Sequence, residues 1–204
     1  MDGEMGLREH NRQRTYWAIS NAAIALFLEK GFDQVSVAEV AAAAGISKPT
    51  LFRYFPAKED LVLHRFADHQ DEAAAVVAGR PSGQSPLEAL RLHFLDALRR
   101  RDPVSGLSEE KEVLAFHRLL YGTPALVARL YAYTNGSEES LAAALGGGLD
   151  ARLAAGQIVA VRRILAEENW RRIEAGESVR EVGPDAVAAA ERAFAQLGAG
   201  IQEK

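Results

Sequence analysis

Apolar residues recur at three- and four-residue steps along almost the whole chain, the period of helices with one buried face. From about Arg12 to Lys30, Ile19, Ala22, Ala23, Leu26 and Phe27 form such a stripe, and Gly31 follows as a C-terminal cap. Ser36 and Glu39 have capping-box spacing, which predicts a short helix over 37–44 that stops at Gly45. Ser47 is placed to cap the next helix, 48–55, where Pro49 is tolerated because first-turn amides have no internal partner. Pro56 breaks it. Runs such as Val35–Val37 never alternate over a useful length, so strands are not expected.

Further along, the pattern predicts a long helix from Lys58 toward Ala78 and a linker over 79–84. Ser85, Pro86 and Glu88 open a helix that ends near Arg101, and Ser108 starts another that reaches Tyr121. A helix from Thr123–Pro124 continues to about Leu145, with Asn135–Gly136 leaving open whether it splits. Gly146–Gly148 precede a long segment over 149–175, and Gly183–Pro184 precede a last helix to about Ile201. The expected fold is all-α with about nine helices. Three short helices are expected within 1–57 and longer ones over 58–204.

Composition alters this little. The chain has 204 residues, 48% apolar and 25% charged, enough for a sizeable core without staples. Absence of cysteine removes disulfides, thiolate metal sites and cysteine nucleophiles. No apolar run approaches a membrane span, and the first fifteen residues lack a secretory signal core, so a cytoplasmic protein without a membrane partner is expected. The net charge of −4 advertises no polyanion partner, which leaves such a partner to a local patch.

Residues 37–55 supply the chemistry. A helix with inward Val40 and Ala41, Gly45 at the turn, Ile46, and a helix with inward Leu51 and Phe55 have the build of a helix-turn-helix. Its outward positions are Lys48, Pro49, Thr50, Arg53 and Tyr54. Lysine and arginine bond guanine edges or phosphates, hydroxyls suit phosphates, and a threonine or proline methyl surface suits the thymine methyl. The same pattern also serves as the solvated face of an ordinary helical bundle.

The stretch from Ala18 to Leu61, AISNAAIALFLEKGFDQVSVAEVAAAAGISKPTLFRYFPAKEDL, resembles the N-terminal domain of the TetR family of bacterial transcriptional regulators. The matches run in order through Leu26–Phe27, Gly31–Phe32, Ser36, Val40–Ala41, Ala44–Ser47, Thr50–Phe52, Tyr54–Phe55 and Lys58–Glu59. The resemblance implies a DNA-binding set of Ser36, Ala38, Ser47, Lys48, Pro49, Thr50, Arg53, Tyr54 and Lys58. Within it Lys48, Pro49, Thr50 and Arg53 meet the major groove, Tyr54 and Lys58 grip phosphates, and Ser36 caps the second helix beside the backbone. Ala38 stands where some members carry a polar base reader, so readout leans on Lys48, Thr50 and Arg53. Residues 1–60 hold seven basic and eight acidic residues, so few phosphate contacts are expected. The local basic groups are Lys48, Arg53 and Lys58, with Arg8, Arg12 and Arg14 against Glu9 near the N-terminus.

The resemblance further implies a homodimer on a palindromic double-stranded DNA operator, repression, and release by an unidentified small-molecule effector, with no cofactor. It divides the chain into an N-terminal three-helix helix-turn-helix DNA-binding domain over 1–57 and a C-terminal helical ligand-binding and dimerisation domain over 58–204, with the helix from Lys58 tying the DNA-binding domain to the effector pocket. The dimer interface would comprise Ile158, Val161, Leu165, Phe194, Leu197 and Ile201, beside small Ala155, Gly156 and Ala160. Alternatively, the apolar seams of the last two predicted helices, on which these residues lie, simply close the monomer core. His93, Phe94, Phe116, His117, Tyr121, Tyr131 and Trp170 are candidate effector-pocket residues, being polar or aromatic on otherwise apolar helices. His64, Asp68, His69, Asp71 and Glu72 cluster on one predicted helix, which suits a solvated face better than a metal, and no metal is expected. No spacing selects a catalytic dyad or triad, so an enzyme is not expected. The remaining alternative is a helical protein-interaction or ligand-binding protein that has kept the fold without specific DNA binding.

Overall fold

A computed structural model describes the backbone of residues 2–67 and 69–199 and the side chains of residues 10, 12–64 and 69–199. The described residues form ten α-helices and one 3-10 turn, with no strand. They divide into two compact units, Met1–Ala67 with Ala115–Tyr131 and Asp68–Leu114 with Ala132–Lys204.

The first unit begins with α1 (Asp2–Lys30), α2 (Val37–Ala43), α3 (Lys48–Tyr54) and α4 (Asp60–Ala67). Helix α1 packs on α2 and α4, and α2 on α3. The inward residues Ile19, Ala23, Phe27, Phe32, Val35, Val40, Leu51, Phe55 and Leu61 to Leu63 are all buried. Each large apolar side chain so buried contributes about 1.5–3 kcal/mol. The buried Ser20 hydroxyl donates to the Leu61 carbonyl at 2.7 Å, joining α1 to α4. Gly45 closes α2 at φ +67°, and the next amide, Ile46, donates back to the Ala41 carbonyl. At that φ a β-carbon is strained, which explains the glycine. Buried Asp60 accepts the Ala57 amide and is clamped by Arg129, whose Nε lies 2.8 Å from its carboxylate.

The second unit contains α5 (Glu72–Ala78), α6 (Pro86–Arg100), the 3-10 turn Pro103–Ser105 and α9 (Gly148–Glu174) with α10 (Val179–Ala199). Helices α7 (Lys111–Gly122) and α8 (Pro124–Ala144) each contribute residues to both units. Helix α10 packs on α6 and α9, and α5 on α6. Val77, Leu90, Phe94, Leu98, Leu141, Ala155, Ile158, Val182, Ala190 and Phe194 form the core.

Several helix boundaries differ from those expected. Helix α1 starts at Asp2 rather than near Arg12, and α7 at Lys111 rather than Ser108. The single helix expected over 58–78 is two, α4 and α5, with His69 and Gln70 in a turn. The sequence holds no glycine or proline there. Instead, polar side chains at the break find separate partners: Ser140 donates to Asp71 at 2.5 Å, and the Gln70 amide fills the space over Gly136. Helix α8 accordingly passes Asn135–Gly136 unbroken, and that glycine admits a neighbour rather than a turn. Helix α10 starts at Val179, ahead of Gly183–Pro184. Ser178 and Glu181 form a reciprocal capping box that opens it, with the Ser178 amide donating to Glu181 at 2.8 Å.

The turn after α6 is held against α9. Gly106 has φ +73°, and a β-carbon there would lie 1.9 Å from the Ala166 carbonyl oxygen. The buried Asn169 amide donates to the Ser105 carbonyl at 2.9 Å. Gly106→Ala is therefore expected to cost about 3 kcal/mol or more, since both the backbone strain and the overlap with a helix carbonyl must be relieved. Gly136→Ala need only displace the Gln70 side chain and is expected to cost about 1 kcal/mol or less. Chemical denaturation of the two variants checks the difference.

Candidate nucleic-acid interface

Ser36 and Ser47 set the two short helices before any side chain can face a partner. The Glu39 amide donates to Ser36 Oγ at 3.2 Å, and the Ser36 amide donates to the Glu39 carboxylate at 2.8 Å. The Ser36 amide first, then the Ser36 hydroxyl, hold the Glu39 carboxyl below its usual range. Ser47 accepts the Thr50 amide at 3.2 Å and shares a 2.8 Å hydrogen bond with the Thr50 hydroxyl. Ser36, Ser47 and Ala38 are exposed, so the caps lie at the surface.

On α3 the inward and outward faces separate cleanly. Leu51 and the following Phe55 are buried, while Lys48, Pro49, Phe52 and Arg53 are exposed and Thr50 and Tyr54 half-buried. The Thr50 hydroxyl is engaged in the cap, which leaves its methyl as the freer surface. Phe52 was not among the expected contacts, yet it is 41% exposed, with the Lys48 ammonium 5.9 Å from its ring centroid. An exposed ring of this size forgoes part of its burial energy, and a cation over its face supplies a weaker contact instead. Its flanking position beside Phe55 on the helical wheel disguises it as core.

Lys58 is placed differently from a free phosphate grip. Its ammonium donates to the Phe32 carbonyl at 2.5 Å and lies 4.3 Å from the Phe32 ring centroid. Tyr54 packs edge-on against Tyr16 at 5.3 Å. Arg12 and Arg14 are exposed on α1, and the Arg8 side chain lies outside the described residues.

The candidate pocket residues fall into both units. In the first, Phe116 and His117 are buried on α7, with the His117 ring 6.2 Å from Phe116 and 6.0 Å from Tyr121, while Tyr131 is 53% exposed. In the second, Phe94 is core, and His93 and Trp170 are half-buried. None of the seven lines the groove of about 330 Å³ between α6 and α10, which is bounded by Leu87, Arg91, Glu191 and Phe194. Of the dimer candidates, Ile158 and Phe194 are core residues of the second unit, and Leu165 and Leu197 pack against that core. Val161 is half-buried, and Ile201 lies outside the described residues. A helical period shows that a face is buried, not which partner buries it.

The histidine and carboxylate cluster disperses. His64 lies 4.4 Å from the Tyr16 ring, 5.2 Å from Trp17 and 5.8 Å from Phe55. Asp68 lies outside the described residues, and Asp71 is bonded to Ser140. Glu72 lies 3.7 Å from both His69 and His93 and 3.3 Å from Arg162. His69 first, then the charges of Arg162 and His93, hold its carboxyl down at about 2 against the cost of burial. No group of three or more His, Cys, Asp or Glu among the described residues is arranged to hold a metal, and none of the described helices is long and apolar enough to cross a membrane.

Known proteins align with this architecture. The pattern of the bacterial regulatory proteins of the tetR family matches residues 19–64. The transcriptional regulator TcmR of Streptomyces glaucescens is 32% identical over 135 residues, which cover 66% of this chain and 58% of TcmR. The repressor KstR of Rhodococcus jostii is 31% identical over 104 residues, covering 50% of this chain and 49% of KstR. The aligned regions thus span about half the length of these relatives. Among solved structures, NalD of Pseudomonas aeruginosa, the secondary repressor of the MexAB-OprM efflux pump, shares the fold at TM-score 0.58 and 20% identity, over 89% of this chain and 97% of its own. FadR of Bacillus subtilis, solved with stearoyl-CoA, does so at 0.54 and 20%, over 92% and 100%.

Burial pushes the His117 imidazole down to about 4. Between the unfolded value near 6.5 and about 4, the unfolded chain binds the extra proton, so stability is full above pH 6.5 and falls as pH drops toward 4. His117→Gln is expected to flatten that part of the stability profile, measured as denaturation midpoint against pH.

Proposed function

The chain belongs to the tetR family of bacterial regulatory proteins, and from that premise we propose that it is a sequence-specific DNA-binding transcriptional regulator. It acts in the cytoplasm as a homodimer that represses from a palindromic operator and is released by a small-molecule effector. The observation that carries the reading is the division of α3: Leu51 and the adjoining Phe55 are buried, and Lys48, Pro49, Phe52 and Arg53 face outward. Arg53 supplies a fork for a guanine edge, Lys48 a charge for guanine or phosphate, and Pro49 with Phe52 an apolar surface for thymine methyls. Tyr54 and Lys58 then take phosphates, for which Lys58 must leave the Phe32 carbonyl. Residues 1–57 form the reader and 58–204 the effector-binding and dimerisation part.

A seven-residue reader covers one half-site, so palindrome recognition calls for a two-fold mate. Helices α9 and α10 offer the surface. With Ile158 and Phe194 taken by the core, the outward apolar residues are Leu149, Leu153 and Ile164 on α9 and Val187 on α10, each 43–68% exposed. Leu149 and Leu153 lie one turn apart, and Ile164 three turns beyond Leu153, a stripe suited to a second copy of the chain. The stearoyl-CoA held by FadR supports a ligand-responsive reading.

Selection of fragments from random DNA by the purified chain tests the proposal. Enrichment of one palindrome supports it. No enrichment, from protein shown by mass spectrometry to carry no ligand, favours a protein that has kept the fold for another partner. On the selected site Arg53→Ala is expected to lose about 1–3 kcal/mol with relaxed preference at one base pair. Phe52→Ala should lose about 1 kcal/mol at thymine-containing positions only. The double variant Leu153→Asp, Ile164→Asp is expected to sediment as a monomer and to lose the palindrome while retaining weak half-site binding.

A further inference from the structure

Helix α3 ends in a contact that no reading face requires. The Tyr16 hydroxyl of α1 donates to the carbonyl of Tyr54, the last residue of α3, at 2.5 Å and across 38 positions of sequence. Its ring lies 4.5 Å from the Phe55 ring, 5.3 Å from Tyr54 and 4.4 Å from the His64 imidazole of α4. Burial raises the Tyr16 phenol above its usual pKa, in keeping with a hydroxyl that stays protonated as a donor.

The last carbonyls of any helix lack intrahelical partners, and in a helix of seven residues they are a large share of its bonding groups. At the other end, Ser47 fixes the first turn through Thr50. Leu51 anchors the middle, and buried Phe55 anchors the chain just beyond the last residue. Apolar contacts are not directional, whereas the hydrogen bond from α1 to the Tyr54 carbonyl adds a directional restraint at the end carrying Arg53 and Tyr54.

We infer that Tyr16 is a positioning residue for DNA recognition, whose hydroxyl sets the angle at which the C-terminal end of α3 presents Arg53 and Tyr54. The inference rests on the DNA-reading role of α3. Base contacts demand closer placement than phosphate contacts, so loss of the bond reduces specific binding and spares non-specific binding.

The test compares full-length wild type with Tyr16→Phe, which keeps the ring and removes only the hydroxyl. The probes are the palindrome selected by the wild-type chain and a scrambled duplex of the same length, at one salt concentration. The expected result is a fall of about five- to tenfold in the ratio of palindrome to scrambled affinity, the size of one lost neutral hydrogen bond. Scrambled-duplex affinity should be unchanged. The ratio cancels any loss of folded protein, so it stays decisive if the variant is less stable. An unchanged ratio, or equal losses on both duplexes, overturns the positioning role. Because wild type must first enrich a palindrome and Arg53→Ala must weaken it, failure of the DNA-reading role shows separately, before Tyr16→Phe is compared.

Discussion

A helix of seven residues has no stability of its own in water, because nucleation costs more than so few bonds return. Helices α2 and α3 are both of this length, and everything described in the first unit follows from the need to hold them. Ser36 and Ser47 satisfy amides that would otherwise be orphaned at their starts. Val40, Ala41, Leu51 and Phe55 are driven into the core formed by Ile19, Phe27 and Leu61 to Leu63. Gly45 makes the tight reversal between them possible through its positive φ. What remains outward on α3 is not needed for the core, and it is there that a lysine, a proline, a phenylalanine and an arginine are displayed.

The second unit is organised by a different demand. Its apolar core is continuous from Val77 on α5 through Phe94 on α6 to Phe194 on α10, but charged groups are admitted beside it and must be paired. Arg162, with 18% of its side chain exposed, meets Glu72 at 3.3 Å, and two histidines share the same carboxylate. At the surface near the end of α9, Arg172 bonds Glu177 and Asp185. Arg91 joins α6 to α10 by bonding Glu88 and Glu191 at 2.7–2.8 Å.

Much of this was legible in the sequence where the cause is local. Capping residues, the glycine turn and the three- and four-residue apolar steps predict the first three helices and their buried faces. Where the cause is remote, sequence is silent. The break before Glu72 depends on Ser140 and Gly136, some seventy positions away, and no residue at the break announces it. The start of α10 was masked because Gly183–Pro184 is a stronger local signal than Ser178 with Glu181, although the capping-box spacing was there to be read. Phe194 and Ile158 lie on true apolar seams, yet periodicity does not say whether a seam meets its own chain or a second copy. Lys58 and Tyr16 show the same limit from the polar side: their residue types suggest contacts, and only the fold reveals that both are bonded to backbone carbonyls of the first unit.

Hydrogen exchange of the full chain, with and without its selected DNA fragment, addresses the central claim most directly. The account predicts that DNA slows exchange across residues 36–58, where the two short helices and their caps lie, with the largest change in α3. Protection confined to α9 and α10, with residues 36–58 exchanging as in the free protein, would contradict it.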